Sequence, residues 1–474
     1  MRRKPRLLSL PAVVLTAGFL MLFTGISQAA GVSHHGTRKH HKPPPPPEIN
    51  LTHIPTGPTA PVIMQPIGLS IEYPVMAHDL GSGECPAPAL VNELRRLGSP
   101  PLALAGASQD LTAPSGVLPA QRPSWQASTL YSLPANFWSQ LHCLLTSTSD
   151  PLTAGINMKT GEPAWAAQIA AGAQSAATNG LDFSIGNEPD LYSLPNYAEL
   201  SKPQGNEETT MVNMYLGLAS VLDQAIGSAP LVGPELAIAA RWRHQLPRVI
   251  AQLHEAAVGV HLYPLTACGS SPTASVKELL SEDSANAPRS LSWVAADANA
   301  AKVPAMLSEA NSASCGGADG VSDSPASAVW AVRFVLSALK TGFRQVRFHF
   351  SGGPYDPFIV RGSEVQDRPL QYALVALNEW LPVGTTLETL TDLKGLDATA
   401  VGGNASAPTV ILDNESTKAQ TVVLRGQPSV HIVVFDATRS GPQVAQLSSA
   451  ADSIKLTVAI NSVVAIFTGP QPQS

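Results

Sequence analysis

The sequence predicts an α/β protein: a (β/α)8 TIM barrel followed by a C-terminal antiparallel β-sandwich domain. From about residue 62, short apolar runs alternate with longer helical segments, and eight such pairs fill roughly 320 residues. After Leu381 the pattern changes to short strands separated by polar turns, without helical periodicity. We therefore expect the barrel over residues 62–384 and the sandwich over residues 385–474.

Eight apolar, β-prone runs are the candidate barrel strands. In chain order they cover residues 67–73, 101–107, 152–158, 181–187, 230–236, 257–263, 303–309 and 345–350. Helical stretches such as "TMVNMYLGLASVLDQAIG" lie between them. A doubly wound open sheet is the alternative, but that fold usually has fewer repeats, and no glycine-rich nucleotide-binding turn follows the first run.

The C-terminal segment contains the runs "TVILDNES", "QTVVLRG", "VHIVVFDA", "IKLTVAI" and "SVVAIFTG". Each alternates apolar and polar residues in the way that a strand with one buried face requires. Residues 47–61, just before the barrel, are expected to add one more strand to this domain.

The first 30 residues are typical of a signal peptide. A basic start is followed by the apolar run "LLSLPAVVLTAGFLMLF" and by small residues that suit cleavage. Because the apolar run is long, an uncleaved membrane anchor is the alternative; no later stretch is apolar enough to span a bilayer. Residues 31–61 are predicted to be a His/Pro-rich linker, whose histidines fit either a basic linker or a metal site. We expect a secreted or cell-surface protein.

Charge and cysteine content limit the possible partners. The chain has a formal net charge of −6, and removing the four cations among residues 1–29 leaves −6 − 4 = −10. An acidic protein is a poor partner for nucleic acid or sulfated polyanions. Four cysteines in an exported chain suit two disulfides, for which three connectivities exist. We expect Cys268 to pair with Cys315, in neighbouring loops after strands six and seven, and Cys85 to pair with Cys143; free buried thiols are the alternative.

Polar residues follow the candidate barrel strands, at the end where barrel enzymes carry their chemistry. In chain order this rim contains Glu72, Ser108, Gln109, Asp110, Asn187, Glu188, His261, Tyr263, Glu309, Asn311 and His349. Glu188 follows strand four and Glu309 ends strand seven, so two carboxylates are predicted to face each other across the barrel mouth.

Opposed carboxylates are the requirement of glycoside hydrolysis. One is protonated and gives its proton to the leaving oxygen, and the other attacks the anomeric carbon in a retaining enzyme. We assign Glu188 as the acid/base and Glu309 as the nucleophile. Asn187 is expected to bind the sugar 2-hydroxyl, and Tyr263 to donate to the nucleophile. Glu72 and Asp110 fit either sugar binding or structural pairing, and His261 and His349 fit either substrate contact or a satisfied position on the rim.

The segments "SIGNEPD" and "LSEANSASCGGADGVSDSPASAVWAV", together with "GLSIEY" and "VHLYP", resemble glycoside hydrolase family 79, the β-glucuronidase and heparanase-like enzymes. The resemblance covers most of residues 62–474. It implies a barrel with a C-terminal β-domain, with Glu188 at the position of the family's acid/base and Glu309 at that of its nucleophile.

Two positions depart from that family's pattern. The stretch after strand two is "LALAGASQD", with Ala107 where family members commonly have Asn. Ser314 stands where several members have a tyrosine near the substrate carboxylate. Gly316 and its neighbour Gly317 still provide a turn whose N–H groups can meet an anion, and Tyr355 is a second candidate contact.

The sequence therefore predicts an exported retaining β-glycosidase, β-glucuronidase-like, without a cofactor or a metal ion. Its expected partner is a carbohydrate, a β-linked glycoside that contains a uronic acid. Two alternatives stay open: the same chemistry on a neutral sugar, and a catalytically silent carbohydrate-binding protein of the cell surface.

Overall fold

The computed structural model describes residues 45–54, 59–117, 131–192, 207–227, 229–269, 274–390, 393, 395–404, 406–451 and 453–469. The predicted signal peptide and four histidines of the predicted linker, His34, His35, His40 and His41, lie outside these residues. Residues 46–474 belong to one compact unit. Among the described residues, no helix is long and apolar enough to cross a membrane.

Eight parallel strands form the central sheet, as predicted. They are β1 (Ile67–Glu72), β2 (Leu102–Ala105), β3 (Leu152–Ile156), β4 (Leu181–Ile185), β5 (Val232–Leu236), β6 (Ala257–Leu262), β7 (Ala305–Ala310) and β8 (Phe343–Phe350). Their spatial order is β4-β3-β2-β1-β8-β7-β6-β5. A parallel bridge between Phe183 and Leu231 joins β4 to the start of β5, and the Phe183 N–H donates to the Pro230 carbonyl at 2.9 Å. These contacts close the sheet into a barrel and confirm the predicted fold class.

Helices follow the strands and cover the barrel. They are α1 (Tyr73–Leu80), α2 (Pro88–Arg96), α3 (Phe137–Thr148), α4 (Pro163–Ala176), α5 (Glu207–Ile226), α6 (Leu246–Leu253), α7 (Val276–Leu279), α8 (Glu282–Ala285), α9 (Ser292–Ala300), α10 (Pro325–Thr341) and α11 (Pro369–Trp380). Four of them begin at a proline, whose fixed φ and missing N–H suit the first helical turn. Helix α10 ends at Gly342, whose φ of 111° is accessible to glycine at little cost.

The described residues of the C-terminal domain form eight strands. They are β9 (Thr386–Leu390), β10 (Asp397–Gly402), β11 (Val410–Asn414), β12 (Gln420–Arg425), β13 (Ser429–Asp436), β14 (Gln443–Ser448), β15 (Ser453–Val458) and β16 (Ser462–Phe467). Residues 47–61 contribute two short strands rather than one. Thr59–Pro61 pairs with β9 at the edge of a seven-stranded sheet, and Glu48–Asn50 pairs with β12 in a three-stranded sheet. This part of the predicted linker is therefore built into the sandwich.

The central strands β11 and β16 of the seven-stranded sheet are buried on both faces. Along β16, Val464 and Ile466 face the sandwich core, whereas Val463, Ala465 and Phe467 belong to the same apolar core as the barrel helices. The period of two along a strand sends alternate side chains to opposite faces. Helix α10 lies between the barrel and this sheet, which explains why every residue from 326 to 339 is buried.

Three two-stranded ladders and two disulfides fasten the loops. The ladders pair Thr112–Ala113 with Tyr131–Ser132, Leu265–Thr266 with Ala313–Ser314, and Phe358–Arg361 with Glu364–Asp367. Both predicted disulfides are confirmed: Cys85 bonds to Cys143 and Cys268 to Cys315. The second disulfide, with its adjacent ladder, joins the loops after β6 and β7 at the barrel mouth.

Candidate active site

Glu188 follows β4 on a turn that aims its side chain into the barrel mouth. The residue has a φ of 52°, a left-handed conformation that is uncommon for a residue with a side chain. Its backbone N–H donates to the carbonyl of Glu235 at 2.9 Å, which ties the end of β4 to the end of β5. The Glu188 side chain keeps 26% of its surface exposed, so a ligand in the mouth can reach it.

Glu309 lies on β7, and its carboxylate is nearly buried. Tyr263 donates a hydrogen bond to Glu309 Oε1 at 2.7 Å. The other oxygen, Oε2, accepts no hydrogen bond from the described residues, although His349 Nδ1 lies 3.5 Å away. One oxygen of this carboxylate is thus fixed, and the other keeps its lone pairs for a ligand.

The two carboxylates meet across the mouth. One ligand atom each of Glu188, His261 and Glu309 lie within 4.8 Å of one another. The sequence predicted this opposition from the strand ends alone, and the structure brings the two side chains together.

His261, on β6, lies between three carboxylates. Its Nδ1 is 3.0 Å from Glu188 Oε1 and 3.7 Å from Glu309 Oε1, and its Nε2 is 2.9 Å from Glu235 Oε2. Burial lowers the pKa of this imidazole, but the charge of Glu309 and the hydrogen bonds to Glu188 and Glu235 raise it well above its ordinary value. Each ring nitrogen faces a carboxylate oxygen at hydrogen-bond distance, an arrangement that favours the imidazolium.

The same interactions act on Glu188 in the opposite direction. Burial raises the pKa of its carboxyl, but the hydrogen bond from His261 and the positive charges of His261, His349 and Lys159 outweigh burial. The pKa of Glu188 therefore lies below its ordinary value. Because the two groups lie within hydrogen-bond distance and shift each other's pKa in opposite directions, Glu188 and His261 titrate as a pair.

His349 and Glu72 form a second pair on the opposite side of the mouth. Glu72 accepts hydrogen bonds from the N–H groups of Ala107 and Ser108, and His349 Nε2 lies 3.5 Å from it. Burial lowers the pKa of His349, but the charges of Glu309 and Glu72 and the hydrogen bond to Glu72 raise it. A Cβ at Gly106 would lie 2.5 Å from the His349 ring, so a glycine is required there. Glu72 thus positions His349 and the turn after β2.

Asp110 and Asp190 hold loops rather than face the mouth. Asp110 is fully buried; it accepts hydrogen bonds from the N–H groups of Met158 and Asn187 and from the Tyr192 hydroxyl. Asp190 accepts from two consecutive N–H groups, at 2.9 and 2.7 Å, in the loop after β5. Of sugar binding and structural pairing, these contacts favour structural pairing for Asp110.

Asn187 and Asn311 differ in their surroundings. The Asn187 backbone is fixed by Asp110, and hydrogen bonds from its side chain to the described residues are absent. The Asn311 amide is fully buried and donates to the carbonyls of His349 and Tyr355 at 3.0 and 3.2 Å. Asn311 therefore contributes to a binding site indirectly, by joining β7 to the loop after β8.

Tyr355 and the Gly316–Gly317 turn lie on the wall beside Glu309. The Tyr355 ring stacks on Tyr263 with centroids 6.3 Å apart and meets His349 edge to face at 5.8 Å. A Cβ at Gly317 would lie 2.9 Å from the Tyr355 backbone nitrogen, so the turn packs directly against this loop.

Sequence reasoning missed Glu235, Ser308 and Lys159. Glu235 could have been found, because it stands near the end of strand five in "LVGPEL", as the other rim residues do on their strands. No feature of the sequence marks Ser308 as a site residue. Its hydroxyl donates to Glu235 Oε2 because the register of the neighbouring strands shifts locally. Lys159 Nζ lies 4.0 Å from Asp110 and over the Tyr192 ring.

Glu188, His261 and Glu309 also offer ligand atoms close enough together to hold a metal ion. A histidine ligand must be an unprotonated imidazole. The raised pKa of His261 and its two short hydrogen-bonded contacts instead favour a proton at this point.

The fold is shared with solved structures. A 4-O-α-L-rhamnosyl-β-D-glucuronidase from Fusarium oxysporum 12S matches with a TM-score of 0.66 and 18% identity, over 87% of this chain and 99% of that chain. A GH51 arabinofuranosidase from Xanthomonas axonopodis pv. citri matches with a TM-score of 0.59 and 12% identity, over 88% and 98%. A GH30 endoxylanase from Clostridium papyrosolvens C71 matches with a TM-score of 0.51 and 13% identity, over 87% and 98%. At these identities the similarity establishes the fold.

No protein-family model matches the sequence, and no curated protein matches it either.

Proposed function

We propose that this protein is a retaining β-glycoside hydrolase in which Glu309 is the nucleophile and Glu188 is the acid/base. One observation carries the proposal: an oxygen of Glu188 and an oxygen of Glu309 lie within 4.8 Å of each other at the mouth of the barrel. Retaining enzymes separate these carboxyl groups by about 5–5.5 Å, whereas inverting enzymes need about 6.5–9.5 Å to admit a water molecule.

The hydrogen bonding of Glu309 and the exposure of Glu188 fit these roles. Glu309 Oε2 is free of hydrogen bonds from the described residues and can attack the anomeric carbon, while Tyr263 holds Oε1 in place. The side chain of Glu188 is more exposed than that of Glu309, 26% against 7%, and so meets a leaving group that extends toward solvent.

The reaction follows in two balanced steps. In the first, Glu309 Oε2 bonds to the anomeric carbon, the glycosidic C–O bond breaks, and the leaving oxygen takes a proton from Glu188. In the second, a water oxygen attacks the same carbon, its proton passes to Glu188, and the Glu309 carboxylate is released. His261 Nδ1, 3.0 Å from Glu188 Oε1, holds the proton that Glu188 transfers.

The shared fold supports this proposal. The three matching structures are named as a glucuronidase, an arabinofuranosidase and an endoxylanase, all of which act on glycosides. The two disulfides and the predicted signal peptide fit an exported enzyme.

The substrate is proposed to be a β-glucuronide. The Gly316–Gly317 turn packs against the Tyr355 loop, at the wall that adjoins Glu309, and its backbone N–H groups are the proposed contact for an anion. The Ala107 and Ser314 departures leave a neutral β-glycoside as the second candidate.

A panel of aryl β-glycosides tests activity and specificity together. We expect turnover of the glucuronide over the glucoside, galactoside and xyloside, and its loss in Glu309→Ala. If only neutral glycosides were hydrolysed, the proposed mechanism would stand and the proposed specificity for a uronic acid would be wrong. The wild type could also hydrolyse none of the aryl glycosides and no β-glucuronide oligosaccharide, yet bind sugar in a titration. That result would favour the carbohydrate-binding alternative.

Azide separates the two carboxylate roles. With an activated aryl glycoside, Glu309→Ala should yield the α-glycosyl azide, because azide replaces the nucleophile. Glu188→Ala should yield the β-glycosyl azide, because azide then attacks the glycosyl-enzyme. NMR of the products distinguishes the two anomers, and exchanged outcomes would reverse the assignment.

A further inference from the structure

Glu235 is a buried carboxylate that the proposed reaction does not use. It is 4% exposed, near the carboxyl end of β5, and its Oε2 receives both His261 Nε2, at 2.9 Å, and the Ser308 hydroxyl. A buried carboxylate is costly unless it is paired. Glu235 pairs with the His261 imidazole, which also contacts Glu188, and can therefore influence the protonation of both groups.

Two irregularities in the sheet build this contact. Between β5 and β6, Gly259 pairs with Pro234 and Val260 with Leu236, so that Glu235 is an extra residue with a φ of 56°. Between β6 and β7, Val260 pairs with Leu307 and the next pair is His261 with Glu309, so that Ser308 is extra. Bulges of this kind redirect side chains next to active sites.

Space for the carboxylate is provided by a glycine. A Cβ at Gly259 would lie 2.7 Å from Ser308 Oγ and 2.8 Å from Glu235 Oε1. The strand between the two bulges thus leaves room for the Glu235 side chain.

The charges around His261 come from four strands. Three carboxylates contact or approach the ring, those of Glu188, Glu235 and Glu309. The next charged groups to interact with it are Asp190 and His349. The neighbouring hydroxyls are those of Tyr263 and Ser308. Beneath Glu235 lies the positive charge of the buried Arg347. Among these groups, Glu235 is the carboxylate that holds Nε2 while Nδ1 remains directed at Glu188.

We propose that Glu235 is a positioning residue: it fixes His261 by its Nε2–H and keeps a proton on Nδ1 available to Glu188. As the leaving oxygen takes a proton from Glu188, that proton is supplied by Nδ1 of His261, and the ring, now neutral, stays bound to Glu235 through Nε2–H. The water of the second step returns one proton to the pair. This inference rests on the proposed function for its catalytic part, whereas the protonation of His261 is tested without substrate.

The first test is a titration of the resting protein. NMR of ¹⁵N-histidine-labelled wild type and Glu235→Gln, with His261→Asn to assign the signals, gives the His261 pKa. Loss of one neighbouring carboxylate should lower it by roughly one to three units. Asp150→Asn is the matched control, because Asp150 is a buried carboxyl just before β3, at the opposite end of the strand from the mouth. Its substitution should leave His261 unchanged.

The second test is the pH dependence of kcat/KM on the aryl glycoside that the wild type hydrolyses. Removing the Glu235 charge should lower the apparent pKa at which the Glu188–His261 pair loses its proton. The alkaline limb of the profile should therefore move to lower pH. Asp150→Asn should keep the wild-type limb. A purely structural loss would lower the rate at every pH without moving the limb.

Ser308→Ala covers the case in which Glu235→Gln does not fold. It removes one donor from Glu235 Oε2 and keeps every charge, so the His261 pKa should rise. An unchanged His261 pKa in Glu235→Gln, or a fall in Ser308→Ala, would overturn the proposal. If wild type turns over no glycoside, the proposed function fails, and the NMR titration still decides whether Glu235 controls the ring.

Discussion

At the scale of single residues, the polar side chains of the segment "NEPD" have different surroundings and contacts. Glu188 points into the mouth, Asn187 is anchored through its backbone by Asp110, and Asp190 binds two N–H groups of the loop after β5. The concentration of carboxylates behind a buried strand is therefore partly chemical and partly structural.

Tyr263 offers a test of the nucleophile at this scale. Tyr263→Phe removes the 2.7 Å hydrogen bond to Glu309 Oε1 and leaves the ring in place. A hydrogen bond to a charged group contributes about 1.5–3 kcal/mol, so kcat/KM should fall roughly ten- to a hundredfold.

Tyr372→Phe is the control for this substitution, since Tyr372 packs against the Arg96 guanidinium on the outside of the barrel. Steady-state kinetics of both variants on one aryl glycoside make the comparison. Equal rates for Tyr263→Phe and wild type would contradict the role of the hydroxyl.

The residues that the sequence could predict are those whose function follows from their position on a strand. Glu188, Glu309 and His261 stand at strand ends, and a barrel brings all strand ends together. Glu235 and Ser308 meet because two bulges shift the register of their strands, and a bulge depends on the neighbouring strands as much as on its own sequence.

At the scale of elements, the strands were predictable because burial on both faces requires continuous apolar runs. Each predicted barrel run overlaps an observed strand, and the ends differ by a few residues, as for β8, which begins at Phe343 rather than at residue 345. The strands Glu48–Asn50 and Thr59–Pro61 carry little apolar sequence of their own. Their pairing partners, rather than their composition, make them strands.

We expect removal of the disulfide at the rim, unlike removal of the other disulfide, to affect substrate binding. Replacing Cys268 and Cys315 by Ser releases the loops that carry the Gly316–Gly317 turn, and should both destabilise the protein and raise KM. Loops of 47 and 58 residues predict a similar stabilisation for the two disulfides, about 4 kcal/mol.

The double Ser variant at Cys85 and Cys143 is therefore a matched control. It should lose similar stability in thermal denaturation and keep the wild-type KM. An equal rise in KM for both variants would show that general loosening, rather than the rim itself, weakens binding.

At the scale of the whole molecule, a buried ion pair joins the barrel to the sandwich. Arg333 on α10 is 4% exposed; it donates to Asp413 on β11 at 2.8 Å and to the carbonyls of Leu280 and Asn414. Arg333→Met leaves the buried Asp413 without its partner and should destabilise the protein by about 3–5 kcal/mol in urea denaturation.

Arg425→Met tests the same chemistry at the surface. Arg425 pairs with Glu48, and both side chains are about half exposed, at 49% and 52%. Water replaces such a pair readily, so no measurable change is expected. Similar losses in the two variants would mean that burial does not determine the strength of the pair between barrel and sandwich.

The two earliest described strands pair with strands of the C-terminal domain. Glu48 lies opposite Val423, and Pro61 lies opposite Thr386, so both early strands find partners only in the final segment. During synthesis these two strands have unpaired edges until their partner strands in the C-terminal domain have been made. A prematurely terminated product would keep those edges open to pairing with other chains, whereas the full-length product covers them in the step that completes the sandwich.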